Sequence, residues 1–247
     1  MNKKWLYDEM AARKFKPKDM EPYDGNNGRV NRCVELFKHG KLRTGGKLLD
    51  VGGGIGDLGY AVRELGLFDE TLVIDISQKN LNAAAAKGND TYCGDIDQVG
   101  FPRSLAADET FDVVVALDFI EHIIDPEYFA RQCYRVLKPS GEVFLNTPNI
   151  EYWEHMRSLV NYGVFPHTSG DTEVFHGGHL AFYTREDLCR IFRPAGFQDF
   201  ETFRDEECYK QPTEWWINIR GPKTQEQYVE TCERLGNPNL LFKCEKP

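Results

Sequence analysis

From residue 47 onward, short apolar runs alternate with amphipathic stretches. Lys47-Leu48-Leu49-Asp50-Val51 is mostly apolar, is closed at once by glycines, and reads as a buried strand. Thr71-Leu72-Val73-Ile74-Asp75, Phe111-Asp112-Val113-Val114-Val115-Ala116-Leu117 and Glu142-Val143-Phe144-Leu145-Asn146 repeat the pattern. Between them lie a helical stretch through Leu65, the alanine-rich stretch Gln78 to Lys87, and Glu127 to Leu137, stopped by Lys138-Pro139-Ser140-Gly141. Strands alternating with helices build βαβ units. The expected fold class is therefore α/β: a Rossmann-like, mostly parallel sheet with helices on both faces. Right-handed crossovers gather the C-terminal ends of such strands on one edge, where ligands bind.

The flanking segments read differently. Residues 1–45 carry aromatic-basic helical stretches broken by Pro17, Pro22 and the turn-rich run Asp24-Gly25-Asn26-Asn27-Gly28. Residues 148–183 show no strong strand pattern. They hold Tyr152, Trp153, Tyr162, Phe165, Phe175, His167, His176 and His179, as an insertion over the active edge would. Thr184 to Phe192 reads as a helix ended by Pro194-Ala195-Gly196. Phe197 to Phe203 and Glu214 to Ile219 read as closing strands, one of them antiparallel, and Thr224 to Leu235 as a helix before a tail. The expectation is a single domain in four parts. These are an N-terminal helical cap (1–45), a ligand-binding core (46–147), a substrate-covering insertion (148–183), and a C-terminal helix, closing strands and tail (184–247). The last helix has either the core or a second subunit to pack on, so a homodimer is one assembly to expect.

At 247 residues, 41% of them hydrophobic, the chain has material for one sizeable core. No apolar run approaches the ~18 residues of a membrane span, and the basic start lacks the apolar stretch of a signal peptide. A cytoplasmic protein without membrane contact is expected. The formal net charge of -9 counts against a nucleic-acid partner, which demands a basic face to release counterions. A small-molecule substrate fits better. The seven cysteines form no CxxC pair, which points to reduced structural thiols.

Asp50-Val51-Gly52-Gly53-Gly54-Ile55-Gly56 joins a strand to a helix, and glycines there let a ligand approach the backbone. Gly54-Ile55-Gly56-Asp57-Leu58-Gly59 also satisfies the dinucleotide pattern GxGxxG, with Asp75 about twenty residues on. Two features argue against a pyrophosphate. Asp50 suits a ligand's amino group, and Gly52-Gly53 end the strand earlier than that pattern requires.

Over roughly residues 45–200 the chain resembles the class I S-adenosylmethionine-dependent methyltransferases, in particular the branch of ubiquinone-biosynthesis and sugar O-methyltransferases. LLDVGGGIGDLG resembles the family's first motif, with Gly53 and Ile55 where cysteine and threonine are usual. VIDIS resembles its acidic ribose-holding loop, and Cys93-Gly94-Asp95-Ile96 its adenine-recognising segment. FDVVVALDFIEHIIDP, VLKPSGEVFLNTPN and GGHLAFYTREDLCRIFRPAGF match the later motifs in order. The resemblance implies that Asp50, Gly52, Gly54 and Gly56 line the methionine part of S-adenosylmethionine. It implies that Asp75, followed by Ile76, holds the ribose, that Asp95 faces the adenine amine, and that Ile96 lies against the ring. Leu117 would supply backbone near the sulfonium.

Asp118-Phe119-Ile120-Glu121-His122 follows a core strand. A neutral imidazole suits proton removal near pH 7, so His122 is a candidate general base; the alternative is that Glu121 and His122 cap the turn or orient the cofactor. In small-RNA 2′-O-methyltransferases and some quinone O-methyltransferases, an acid–x–x–Glu–His cluster joins a later histidine to bind Mg²⁺. Asp118, Glu121, His122 and His179 occupy the matching positions, with aspartate at 118 where glutamate is usual. His179 is thereby a second catalytic candidate, and a divalent metal (Mg²⁺ or a similar ion) the implied partner of the quartet. His176 is a third candidate; His155 and His167 read as packing or surface residues. Tyr23 and Arg29 are placed to close over the cofactor, and Trp153, Trp215 and Trp216 read as core or pocket wall. The expected reaction is methyl transfer to a hydroxyl of a small metabolite, such as a sugar, nucleotide-sugar or catechol-like acceptor. N-methylation of a small molecule and RNA 2′-O-methylation stand as alternatives.

Overall fold

The structure, a computed structural model, describes residues 16, 20–101, 107–165 and 178–247. Helix α1 (Gly28–Lys38) is followed by β1 (Lys47–Val51), α2 (Asp57–Glu64), β2 (Glu70–Asp75), α3 (Gln78–Ala86) and β3 (Asp90–Cys93). Next come α4 (Ile96–Val99), β4 (Phe111–Leu117), α5 (Pro126–Val136) and β5 (Leu137–Pro148). The chain continues through α6 (Trp153–Tyr162), α7 (Arg185–Phe192), β6 (Gln198–Phe203), α8 (Glu214–Ile219), α9 (Gln225–Gly236) and β7 (Asn239–Glu245).

The strands form one sheet in the order β3-β2-β1-β4-β5-β7-β6. β1 to β5 pair in parallel, and β7 runs antiparallel between β5 and β6. β1 and β4 at the centre are buried almost throughout because both faces are covered. Alternate side chains supply two layers. Leu49, Val51, Val114 and Ala116 pack with Phe129 and Phe192 on one face, and Leu48, Val113 and Val115 with Phe37, Leu58 and Val62 on the other. From β1 the chain builds outward to β3, then returns to the other side of β1 as β4. That reversal opens a crevice above the carboxyl ends of β1 and β4.

The expected α/β class and its antiparallel closing strand are present, but the closing elements are redistributed. Residues 214–219 form α8 rather than a strand, and the expected tail supplies β7. The reason lies in side-chain content: Leu240 to Cys244 are all buried, so they take the slot beside β5. Residues 214–219, left without a sheet edge, close a helical turn instead, with Ile217 N–H donating to Thr213 O at 3.2 Å. β5 also starts earlier than expected, at Leu137, because Lys138-Pro139-Ser140-Gly141 is absorbed as an irregularity beside β4. The expected helix at residues 224–235 is present as α9, capped by Thr224. Parts of the expected cap and insertion, with Pro17, His167, Phe175 and His176, lie outside the described residues. Among the described residues, no helix is long and apolar enough to cross a membrane.

Phe242 tests the placement of β7, because its buried ring lies 5.9 Å from those of Phe192 and Phe200. Phe242→Ala is expected to cost about 3–5 kcal/mol in urea unfolding. A loss below about 1 kcal/mol would return this segment to a loose tail.

Candidate active site

At the end of β1 the chain turns through Gly52-Gly53-Gly54-Ile55-Gly56 into α2. Gly52, Gly54 and Gly56 adopt φ of 70°, 56° and 73°, the left-handed region that side chains avoid. Gly53 is required for a different reason: a Cβ there would collide with the Asp50 carboxylate. Asp50 is buried, and desolvation, reinforced by Asp75 and Asp57, pushes its carboxyl up to about 7. Asp75, at the end of β2, accepts the Gly54 N–H at 3.0 Å on one oxygen and the Ser77 N–H at 2.7 Å on the other. One carboxylate thus ties the glycine loop to the neighbouring strand end.

Two cavities flank this loop. One of about 140 Å³ is lined by Gly52, Asp75, Ile76, Asp95, Ile96 and, from the β4 side, Asp118 and His122. The other, about 550 Å³, lies between residues 21–32 and Ile55, Asp57 and Lys87. Asp95 caps α4 by accepting the Asp97 N–H at 3.2 Å. The smaller cavity therefore brings together residues that the sequence places at four separate strand ends. Asp50, Gly54, Gly56 and Leu117 are not in its wall; they form the strand ends and loop that bound it.

After β4, Asp118 takes φ 49° and the chain winds a 3₁₀ turn, Ile120–His122. Glu121 is 1% exposed, and its Oε2 accepts from Thr147 Oγ1 at 2.8 Å. Among the described residues its Oε1 has no hydrogen-bond partner, and it lies 3.9 Å from His179 Nε2. Desolvation, then the Asp118 charge, pushes the Glu121 carboxyl up to about 8. The rings of His122 and His179 lie 4.8 Å apart, edge to face. His122 Nδ1 sits 3.2 Å from Gly178 O. A carbonyl only accepts, so Nδ1 carries the proton and the neutral ring has its lone pair on Nε2. Leu180 and Ala181 N–H groups donate to Glu121 O at 2.7 and 3.3 Å, which holds the His179 segment against the turn.

Glu121, His122 and His179 each offer a ligand atom, all within 4.8 Å of one another. Asp118, the expected fourth ligand, is not in that group. Its Oδ2 accepts from Arg29 at 2.5 Å, and Asn146 donates to Oδ1. The shorter aspartate side chain is held by these two partners, so the expected quartet is a triad here. Arg29 reaches Asp118 at the site's rim, and Tyr23 donates to Asn31 Oδ1 at 2.6 Å on the same helix. Trp216 is core and Trp215 is exposed; His155 packs on Asn149 O at 2.9 Å. Thr147, Asn146, Lys87 and Asn89 were not singled out by their spacing, yet each holds a residue of the site. Their sequence signals are slight: for Asn146 and Thr147 a polar side chain at the end of a buried strand, for Lys87 and Asn89 a polar side chain in the turn after an alanine-rich helix.

Residues 26–202 match the family model described as a methyltransferase domain. The chain is 35% identical over 125 residues to the mitochondrial ubiquinone biosynthesis O-methyltransferase of Bos taurus, covering 48% of this chain and 33% of that protein. It is 31% identical over 160 residues to the ubiquinone biosynthesis O-methyltransferase of Idiomarina loihiensis, covering 63% of each. The matches thus span less than two thirds of these relatives. In fold, the chain is similar to the Haemonchus contortus phosphoethanolamine N-methyltransferase 2 solved with S-adenosyl-L-methionine (TM-score 0.62, 20% identity, covering 98% of this chain and 60% of that one). The chain belongs to the methyltransferase-domain family, and its fold is one shared with S-adenosylmethionine-dependent methyltransferases.

Proposed function

We propose that the chain methylates a hydroxyl of a small metabolite, of the sugar, nucleotide-sugar or catechol-like kind, at the edge between the glycine loop and His122. The observation that carries this reading is the position and tautomer of His122. It lines the cavity that Asp75 and Asp95 also line, and its Nδ1 is engaged by Gly178 O. The relatives named as O-methyltransferases support a hydroxyl acceptor. A sulfonium is already an activated leaving group. The protein's task is to bring the acceptor oxygen to about 3 Å from the methyl carbon and to take its proton. His122 Nε2 takes that proton. In this reading Asp50 meets the ammonium of the cofactor, Asp75 its ribose, and Asp95 and Ile96 its adenine.

A second reading rests on the buried Glu121 Oε1, which has no hydrogen-bond partner among the described residues. A carboxylate oxygen aimed at two imidazoles suits a divalent ion, with Mn²⁺, Fe²⁺ or Zn²⁺ better matched to nitrogen donors than Mg²⁺. Glu121, His122 and His179 would hold it, and it would lower the pKa of the acceptor hydroxyl.

Three outcomes test these assignments. S-adenosylhomocysteine is expected to raise the melting temperature whereas a nicotinamide dinucleotide does not, and Asp75→Ala should weaken binding by more than about tenfold in calorimetry. The second outcome concerns pH. Asp50 is raised from 3.8 to about 7, so its contribution to stability is present below the unfolded value and lost as pH rises through about 7. A ligand ammonium favours the ionised form, so cofactor affinity should rise between about pH 6 and about pH 8, with proton release on binding. Asp50→Asn should flatten both trends, read by calorimetry in buffers of different ionisation enthalpy. Third, His122→Ala should cut transfer of a radiolabelled methyl group to a hydroxyl acceptor by about 100-fold or more. Near-normal turnover on an amine would favour N-methylation. Activity that survives full chelation, with no metal in elemental analysis, removes the ion.

A further inference from the structure

We propose that Lys87 and Asn89 are positioning residues that set cofactor affinity by holding the glycine loop in its binding conformation. The inference rests on cofactor binding alone and is independent of the acceptor.

A run of glycines gains room for a ligand but loses more conformational freedom on ordering than any other sequence. Its N–H groups serve a ligand only if its carbonyls are turned away and held. Two carbonyls of this loop are held from behind, both by one tripeptide, Lys87-Gly88-Asn89, between α3 and β3. Lys87 Nζ donates to Ile55 O at 3.2 Å and to Asp57 Oδ1, at the first residue of α2, at 2.5 Å. Asn89 Nδ2 donates to Gly56 O at 3.1 Å.

The tripeptide is itself fixed. Arg63 of α2 donates to Gly88 O at 2.5 Å and to Lys87 O at 2.7 Å. The Asn89 amide donates again to Ala84 O at 3.0 Å and accepts from Thr71 Oγ1 at 2.8 Å, so its orientation is determined. A Cβ at Gly56 or Gly59 would run into the Asn89 side chain, so these glycines let α2 settle onto it.

The Lys87 side chain is 2% exposed, and its Asp57 partner 13%. Burying an ion pair is expensive, and an apolar side chain could satisfy packing alone beside Leu81 and Ala84. What an apolar residue could not do is hold the Ile55 carbonyl and the start of α2 together. The two contacts fall on consecutive loop residues, directly after the Gly54 N–H that Asp75 holds from the other side. The loop is therefore fixed at both flanks before the cofactor arrives, and binding is spared the ordering cost.

The test is calorimetry with S-adenosylhomocysteine on the full chain, at a temperature where every variant is folded. The variants are Lys87→Met, Asn89→Ala and Lys246→Met. Lys246 is the control: it is another buried lysine, with Nζ donating to Leu137 O at 2.8 Å, at the start of β5 and so at the opposite edge from the site. Lys87→Met and Asn89→Ala should each bind about tenfold or more weakly, while Lys246→Met loses melting temperature and keeps wild-type affinity. Amide exchange across residues 54–57 should accelerate in the first two variants and not in the control. Asp57→Asn keeps the Lys87 contact to Ile55 and removes the charge pair; a loss of about threefold is expected, which decides the matter if Lys87→Met does not fold. Affinities within twofold of wild type in folded Lys87→Met and Asn89→Ala, or an equal loss in Lys246→Met, would overturn the proposal. So would wild-type affinity in Asp57→Asn.

Discussion

Carboxylates crowd the edge where β1 and β4 diverge, and the way each is neutralised organises the whole site. Asp75 is stabilised by two backbone N–H groups, Asp57 by Lys87, and Asp118 by Arg29 and Asn146. Asp50 and Glu121 are the exceptions. Both are buried, and both carboxyls are pushed up to about neutrality or above, the first to about 7 and the second to about 8. A buried carboxylate beside like charges is stable only when protonated or when a cation arrives. In the function proposed above, the cation that meets this edge is a sulfonium carrying an ammonium group.

That electrostatic design explains the division between what the sequence made legible and what it hid. The glycine loop, Asp75, Asp95 and Ile96 were readable because each lies within a few residues of a strand's end. Strand ends in a parallel sheet converge by topology, so local motifs suffice to place them. The partners of Asp118 were hidden because one of them, Arg29, lies 89 residues away in the chain. No local pattern encodes that contact, and the loss of one methylene relative to glutamate was the only hint of it. Lys87 and Asn89 were hidden for a related reason. A lysine ending an alanine-rich helix reads as a solvated charge until the loop it meets is known.

The closing elements show a second limit. Glu214 to Ile219 and Asn239 to Glu245 are both short, apolar-rich and adjacent to turns, and periodicity alone does not distinguish them. Competition for one slot beside β5 does. The segment that buries five consecutive residues wins it, and the one whose Trp215 must stay exposed does not.

β5 shows how this slot connects back to the chemistry. Asn146 and Thr147 near its end and Asn149 just past it are polar yet buried, and they serve two different elements. Asn146 donates to Asp118, Thr147 donates to Glu121 at 2.8 Å, and Asn149 donates to Arg234 O and Asn237 O, both at 2.8 Å. The acidic turn after β4 and the end of α9 therefore hang from one strand terminus. Because β7 pairs along the whole outer side of β5, from Glu142 to Pro148, it removes the freedom that this terminus would have at a sheet edge. The orientation of Glu121, and through it the spacing of the two histidines, thus depends on the chain's final strand. A displaced β7 would be felt at His122 before it was felt at the glycine loop, because Asp75 and the Lys87–Asn89 clamp sit on the opposite half of the sheet from β5 and β7.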